Sequence, residues 1–268
     1  MKPEIYWEKT GHHHNILYNC TENVMVRDMI IHHSVGLSIG SVHPNDNYTC
    51  VRNVTFKDSV LYNPLKGIYV KTNSGTTNTS LPGSGGEITN ITYENIEIHN
   101  PMWWGIYIGP QQQKQPDGVG DGCMLYPLGG CETQPLITIA DVTLRNITQY
   151  GTWLPPGIIR CNETNPCTGF VFDNVNSSGW WKWLGLNYIT EHIVGTVTNS
   201  KPDPGFNDGT GFSSSSLISE WRSMATDELF TIVKDYLVKF YTKKDKNEHK
   251  DKRAPHRRHH GHAKGHKF

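Results

Sequence analysis

NVTFKDSVLYNPLKGIYVKT, residues 53–72, runs apolar and polar side chains in alternation, crosses a short turn at Asn63 and Pro64, and resumes after Gly67 in a second apolar run. A period of two in a segment rich in Val, Thr, Phe and Tyr marks a strand with one buried face. The same order of features recurs in NVMVRDMIIHHSVGLSIGS from Asn23, in NITYENIEIHNPMWWGIYIG from Asn90 and in DVTLRNITQYGTWLPPGIIR from Asp141. A glycine follows each start by 13 to 16 residues, at positions 36, 67, 105 and 157. A looser copy, TGFVFDNVNSSGWW, begins at Thr168, and HIVGTVT at 192–198 closes the series.

A repeat of this length cannot bury its own apolar face, so it must stack on its neighbours. The copies start 30, 37 and 51 residues apart, and the excess falls in turn-rich stretches such as NSGTTNTSLPGSGGE and GPQQQKQPDGVGDG. Short strands carrying variable loops predict an all-β fold, a parallel β-solenoid over residues 19–200 with an irregular start at 1–18. An antiparallel sandwich also has short strands at regular spacing. The fixed order of features inside every copy favours the solenoid.

The 268 residues, 36% hydrophobic and 10% aromatic, are enough for one sizeable core. A formal net charge of zero conceals an asymmetry: residues 243–268 hold ten Lys/Arg against three acids, which leaves 15 basic and 22 acidic groups in 1–242. After a Gly/Ser-rich linker at 201–216, Leu229, Ile232, Val233, Tyr236, Leu237 and Phe240 recur at helical spacing behind Thr226 as N-cap. They predict an amphipathic helix over 217–242 that caps the open end of the solenoid. The stretch 243–268 has almost no apolar residues, carries six His, and reads as a disordered basic tail. Its charge makes polyanion binding through the tail a function that competes with whatever the body does.

Four of the six cysteines form close pairs, Cys123 with Cys131 and Cys161 with Cys167, and Cys20 and Cys50 each lie just ahead of a strand motif and can make the third. No CxxC or Cys/His zinc spacing occurs, so disulfides in an oxidising compartment are expected, with no metal and no cofactor. Asn-x-Ser/Thr triplets at Asn19, Asn47, Asn53, Asn78, Asn90, Asn146, Asn162 and Asn176 agree with secretion, although the repeat generates several of them for structural reasons. The opening MKPEIYWEKTGHHH lacks the apolar core of a signal peptide, and no stretch is apolar enough to span a membrane. Either Met1 is not the native start of an extracellular protein, or the chain is cytosolic and the cysteines are unpaired; the first is the expectation.

GLSIGS at 36–41, GIYVKT at 67–72 and the Asn-Ile-Thr strand openings resemble the polygalacturonases, glycoside hydrolase family 28, over roughly residues 19–200. The resemblance implies a right-handed parallel β-helix that hydrolyses α-1,4-linked galacturonate in pectin with inversion. Such chemistry needs one protonated carboxyl for the leaving oxygen and a carboxylate to activate water, about 6.5–9.5 Å apart. The family carries them in Asn-Thr-Asp and Asp-Asp motifs ahead of a Gly-His-Gly-Leu-Ser segment. Upstream of Ser34 this chain has only Glu4, Glu8, Glu22 and Asp28, none in such a motif, and Val35 stands at the position of the family's histidine.

Lys71 matches the lysine of the family's Arg-Ile-Lys strand, which implies a partner for a substrate carboxylate. Tyr69 takes the arginine's place, and half of that charge clamp is lost. Ser38, inside GLSIGS, joins the substrate-binding set. His33, two residues before Val35, points to the same side if the chain is extended there, and is the candidate stand-in for the missing histidine. Trp103, Trp104 and Tyr107 are candidates for stacking on sugar rings. The expectation is a family-level polygalacturonase with an acidic, pectin-like ligand, inactive as this chain alone. A non-catalytic carbohydrate-binding or structural β-helix is the alternative, and no specific nucleic-acid partner is expected.

Overall fold

The computed structural model describes residues 4–7, 19–44, 48–73, 85–112, 122–123, 126, 130–179 and 187–206. These contain thirteen strands: β1 (Glu4–Trp7), β2 (Asn19–Arg27), β3 (Ile30–His32), β4 (Leu37–Val42), β5 (Thr49–Tyr62), β6 (Ile68–Thr72), β7 (Gly86–His99), β8 (Ile106–Pro110), β9 (Ile137–Thr152), β10 (Gly157–Arg160), β11 (Cys167–Gly179), β12 (Ile189–Glu191) and β13 (Ile193–Thr198). One sheet has the order β1-β2-β5-β7-β9-β11-β13, with β3 also beside β5; the other has the order β12-β10-β8-β6-β4. Only β1 and β2 run antiparallel; every other pairing is parallel. The chain visits the two sheets in turn, as a parallel β-helix does and an antiparallel sandwich does not.

The register follows the repeat. Val24 pairs with Val54, Val54 with Ile91 and Ile91 with Val142, so Asn23, Asn53, Asn90 and Asp141 stand side by side. Leu37 pairs with Ile68 and Ile68 with Ile106, which aligns Gly36, Gly67 and Gly105. The fourth glycine departs from the expected column. Gly157 pairs with Ile106, and Pro156 takes the place of Gly105, because Gly151–Pro156 spans as many residues as Asn100–Gly105.

Simple alternation is interrupted every fifth residue. Along β7 the buried apolar residues are Ile88, Ile91, Tyr93, Ile96 and Ile98, and the phase resets at Asn90 and Asn95. Both have a left-handed backbone, φ 54° and 55°. Asn and Asp tolerate that region better than other side chains, so one of them turns the strand around the core without a loop. The left-handed residues stack in columns from coil to coil. One column holds Asn23, Asn53, Asn90 and Asp141, and a second holds Asp28, Asp58, Asn95, Asn146, Asn174 and Asn199.

The columns are stitched by side-chain amides. Asn53 donates to Asn23, and Asn90 to Asn53 at 3.3 Å. In the second column Asn95 donates to Asp58 at 2.8 Å, Asn146 to Asn95 at 3.0 Å and Asn174 to Asn146 at 3.0 Å. Asn53, Asn90 and Asn146 head Asn-x-Thr triplets, so those three triplets have a structural role in the stack.

The core runs between the sheets. Val54, Phe56, Leu61, Ile91, Tyr93, Ile96, Ile98, Val142, Leu144 and Ile147 meet Ile68, Val70, Ile106, Ile108 and Ile159. Each such aliphatic side chain contributes about 1.5–3 kcal/mol by leaving water. The disulfides join Cys20–Cys50, Cys123–Cys131 and Cys161–Cys167, the pairs expected from spacing. Most variation in coil length falls at one corner, between the end of a short strand and the next long one: 43–48, 73–85, 111–136 and 161–166; the turns ahead of β4, β6, β8 and β10 vary by only a residue or two.

The expected helix at 217–242, the tail at 243–268 and most of the linker lie outside the described residues. Among the described residues no helix is long and apolar enough to cross a membrane.

Candidate functional site

Alternation on the five-stranded sheet sends Ile68, Val70, Ile106, Ile108 and Ile159 into the core. Tyr69, Lys71, Tyr107 and Arg160 therefore project from its other face. Register lays two rows across that face. Ser38, Tyr69, Tyr107, Ile158 and Ile189 form one. In the next, Lys71 lies opposite Gly109 and Arg160 opposite Glu191. Gly109 joins the two halves: a Cβ there would lie 2.8 Å from the Arg160 carbonyl, and its φ of +138° also disfavours a side chain. The row reads Lys71, Gly109, Arg160, Glu191, with the backbones of the two basic residues about 9–10 Å apart across a strand that has no side chain between them.

Arg160 is almost wholly buried and firmly held. Its Nε donates to the Glu191 carboxylate at 2.7 Å, its Nη2 donates to the Cys131 carbonyl at 2.9 Å, and its guanidinium lies 3.6 Å above the Tyr126 ring. The Tyr126 hydroxyl donates to the second Glu191 oxygen at 2.8 Å. Beneath Arg160 a cavity of about 10 Å³, lined by Thr72, Gln134, Asn162, Asn165 and the Cys161–Cys167 bridge, has room for about one water and none for a sugar.

Tyr69 and Tyr107 meet edge to face, with centroids 5.4 Å apart. The Tyr69 hydroxyl accepts from the Gln112 backbone N–H at 2.9 Å, and the Tyr107 hydroxyl donates to the Pro110 carbonyl at 2.7 Å. Burial pushes both phenols above their ordinary value, so both are neutral near pH 7. Two lysines approach the Tyr69 ring, Lys66 Nζ at 4.4 Å from its centroid and Lys71 Nζ at 5.2 Å. Lys66 is fully buried, and burial followed by the Lys71 charge lowers it to about 7. Burial also lowers Lys71, which is half-buried.

The residues expected from sequence fare unequally. Ser38 is exposed at the start of the Tyr69 row, with its hydroxyl 3.3 Å from the Gly36 carbonyl. Lys71 is on the cationic row, and Trp103 is half-buried at the turn before β8. Trp104, Tyr69 and Tyr107 have at most 1% of their surface exposed, so none has a free ring face for a sugar in this conformation. For Tyr69 and Tyr107 the reason is packing against each other and against Lys66 and, for Tyr69, Lys71. For His33 the premise fails: its φ is +53°, a bend and not an extended strand, so alternation does not carry it to the side of Val35. It is exposed and lies 6.4 Å from the His32 ring.

Sequence reasoning missed Lys66, Arg160 and Glu191. The signal for Arg160 was present: counted from Pro156 it falls four residues on, as Lys71 does from Gly67, and alignment on Gly157 hid it. Among the described residues Glu191 is the one carboxylate on the strands of this sheet, and it is committed to Arg160 and Tyr126. Inverting glycoside hydrolysis requires a pair of carboxylates, and the described strands of this sheet supply one.

Fold and face together define a parallel β-helix protein with a cationic sheet. The sequence comparisons name its family: the chain matches the glycosyl hydrolases family 28 over residues 14–194, and it belongs to that family. It is 33% identical over 159 residues to a protein named "Probable endopolygalacturonase D" from Neosartorya fischeri, a match covering 59% of this chain and 29% of the relative. A protein of the same name from Aspergillus flavus is 32% identical over 157 residues, 59% of this chain and 27% of the relative. A "Polygalacturonase" from Fusarium fujikuroi is 31% identical over 168 residues, 63% and 39% of the two chains. The matched stretch thus spans well under half of each relative. No solved structure matches the chain.

Proposed function

We propose that the cationic face of the five-stranded sheet binds a pectin-type galacturonan, the ligand of a polygalacturonase, and that this chain by itself does not hydrolyse it. The observation that carries the reading is the row Lys71, Gly109, Arg160. Lys71 is the accessible cation of the row, beside Gly109, which has no side chain, with the buried Arg160–Glu191 pair beyond it, so a uronate carboxylate would meet its charge at Lys71. The names of the relatives point to the same polymer. Ser38, exposed at the start of the Tyr69 row, supplies a hydroxyl at its rim, and Trp103 lies half-buried in the turn before β8.

Inversion requires an acid and a base on opposite sides of the sugar. Both oxygens of Glu191 are already engaged, one by Arg160 Nε and the other by the Tyr126 hydroxyl, and it has no partner carboxylate on the described strands of its sheet. Family-level hydrolysis therefore needs carboxylates other than those described, and the chain acts as a binding face. Three disulfides support an extracellular setting.

The test is two measurements on the purified chain with polygalacturonate and with neutral galactan. Binding to the first only, weakened by salt and several-fold weaker in Lys71→Ala, with no new reducing ends, is expected. Equal binding to both polymers, or none to either, rejects the ligand. Release of reducing ends that disappears on replacing one acid rejects the inactivity.

A further inference from the structure

Lys66 is the least explained group in the molecule. It precedes Gly67 in the turn leading to β6, and its backbone N–H is spent on the Val35 carbonyl at 3.2 Å. Its ammonium, fully buried, makes no hydrogen bond. Burying an ammonium without an acceptor is among the costliest arrangements a fold can hold. The Tyr69 ring at 4.4 Å and the Tyr107 ring at 5.8 Å return a part of that through their π faces.

Other donors around the same ring pair are also unused. The side-chain amide of Gln112, 1% exposed, makes no hydrogen bond, and its backbone N–H anchors it to the Tyr69 hydroxyl. Arg160 Nη1, across Tyr107, has none either. The charged and titratable groups facing Lys66 are Lys71 on β6, the neutral Tyr69 and Tyr107 phenols, and beyond Tyr107 the Arg160–Glu191 pair with Tyr126. None of these groups hydrogen-bonds Lys66 Nζ, and the Gln112 amide leaves both its nitrogen and its oxygen unbonded around the same ring pair. A group with two adjacent anionic oxygens would answer an ammonium and a primary amide together.

We propose that Lys66 and Gln112 form a carboxylate site behind the Tyr69 ring, which takes one uronate carboxylate of a polymer held at Lys71. This rests on the galacturonan reading for the identity of the ligand, though not for the existence of the site. Lys71 is the accessible member and Lys66 the desolvated one. Position 69, which contributes no charge, is thereby bracketed by two cations. An anion arriving there offsets both the burial and the Lys71 repulsion that lower Lys66, so binding and protonation of Lys66 are coupled.

The experiment is a pH titration of the full chain carrying ¹³Cε-labelled lysine, with the Lys66 signal assigned by its loss in Lys66→Met. It is run alone and with acetate, D-galacturonate, trigalacturonate or galactose. The Lys66 midpoint, near neutrality when free, should rise by about a unit or more with the three carboxylates and stay put with galactose. Lys66→Met should bind trigalacturonate about tenfold more weakly. A midpoint unmoved by any carboxylate overturns the site. If acetate moves Lys66 and trigalacturonate does not bind, the site stands and the galacturonan reading falls. If trigalacturonate binds with Lys66 unmoved, the site falls and the galacturonan reading stands. Should Lys66→Met fail to fold, the unsubstituted titration decides alone, with the signal identified by its distinct midpoint.

Discussion

On the eight-stranded sheet the outward polar groups satisfy one another: asparagine amides link coil to coil, Arg52 bridges Glu22 and Glu87, and Arg145 meets Asp173 at 3.2 Å. On the five-stranded sheet, built by the same repeat and sharing the same core, Lys66 Nζ, the Gln112 amide and Arg160 Nη1 are buried without acceptors. The eight-stranded sheet has its own exception in the Gln149 amide on β9, but the cluster of unpaired groups around Tyr69 and Tyr107 belongs to the five-stranded sheet. The first arrangement serves the stack, and the second is what the proposed carboxylate site would complete.

The largest effect that tests this contrast comes from pH. Lys66 binds its proton near 7 in the folded chain and near 10.5 unfolded. Between these values the unfolded state holds more protons, so stability should rise as pH increases from about 7 toward 10. At about 1.4 kcal/mol per unit, the rise is on the order of 3–4 kcal/mol. Above pH 10 it should reverse, because Tyr69, Tyr93, Tyr107 and Tyr188, kept neutral by burial, ionise more readily unfolded. Lys66→Met should be more stable than the parent at pH 7 and flat from 7 to 10. Urea unfolding across that range reads both, and a flat parent removes the asymmetry between the sheets.

On the closed sheet Asn95→Ala should cost about 2–3 kcal/mol, combining a left-handed backbone without Asn and two broken ladder bonds. Asn95→Gly, which keeps the backbone and loses only the bonds, should cost about 1 kcal/mol. Equal costs for the two would show that the ladder, and not the conformation, is what matters there. In the shared core Ile91→Val should cost about 0.5–1.5 kcal/mol, whichever sheet is considered. At the surface Asp173→Asn should change stability by about 0.5 kcal/mol or less, since both partners are well exposed and screened.

The fold was legible because its information is repetitive. Asn23, Asn53, Asn90 and Asp141 could be aligned by eye, and the strands pair in that register. What alternation hid was the fifth-residue reset, since a left-handed asparagine looks like any other polar residue in a strand. The same effect misplaced His33, whose bend is one of these resets. The site was less legible. Lys71 showed through a motif, whereas Lys66 and Glu191 matter only because β6, β8, β10 and β12 lie side by side, and sequence order keeps them up to 125 residues apart. Arg160 was one register step from view.

The corner where coil length varies has a consequence for how such a protein changes over time. Between asparagine columns the chain works as a ruler marked every five residues, and losing one residue there would rotate every later side chain off its face. At 43–48, 73–85, 111–136 and 161–166 the count is free: these intervals already differ several-fold in length while the strands on either side keep register. All four open beside the cationic sheet. Mutation by insertion is thus channelled mainly to one border of the stack, and a graft made there changes the surface while the stack beneath keeps its count.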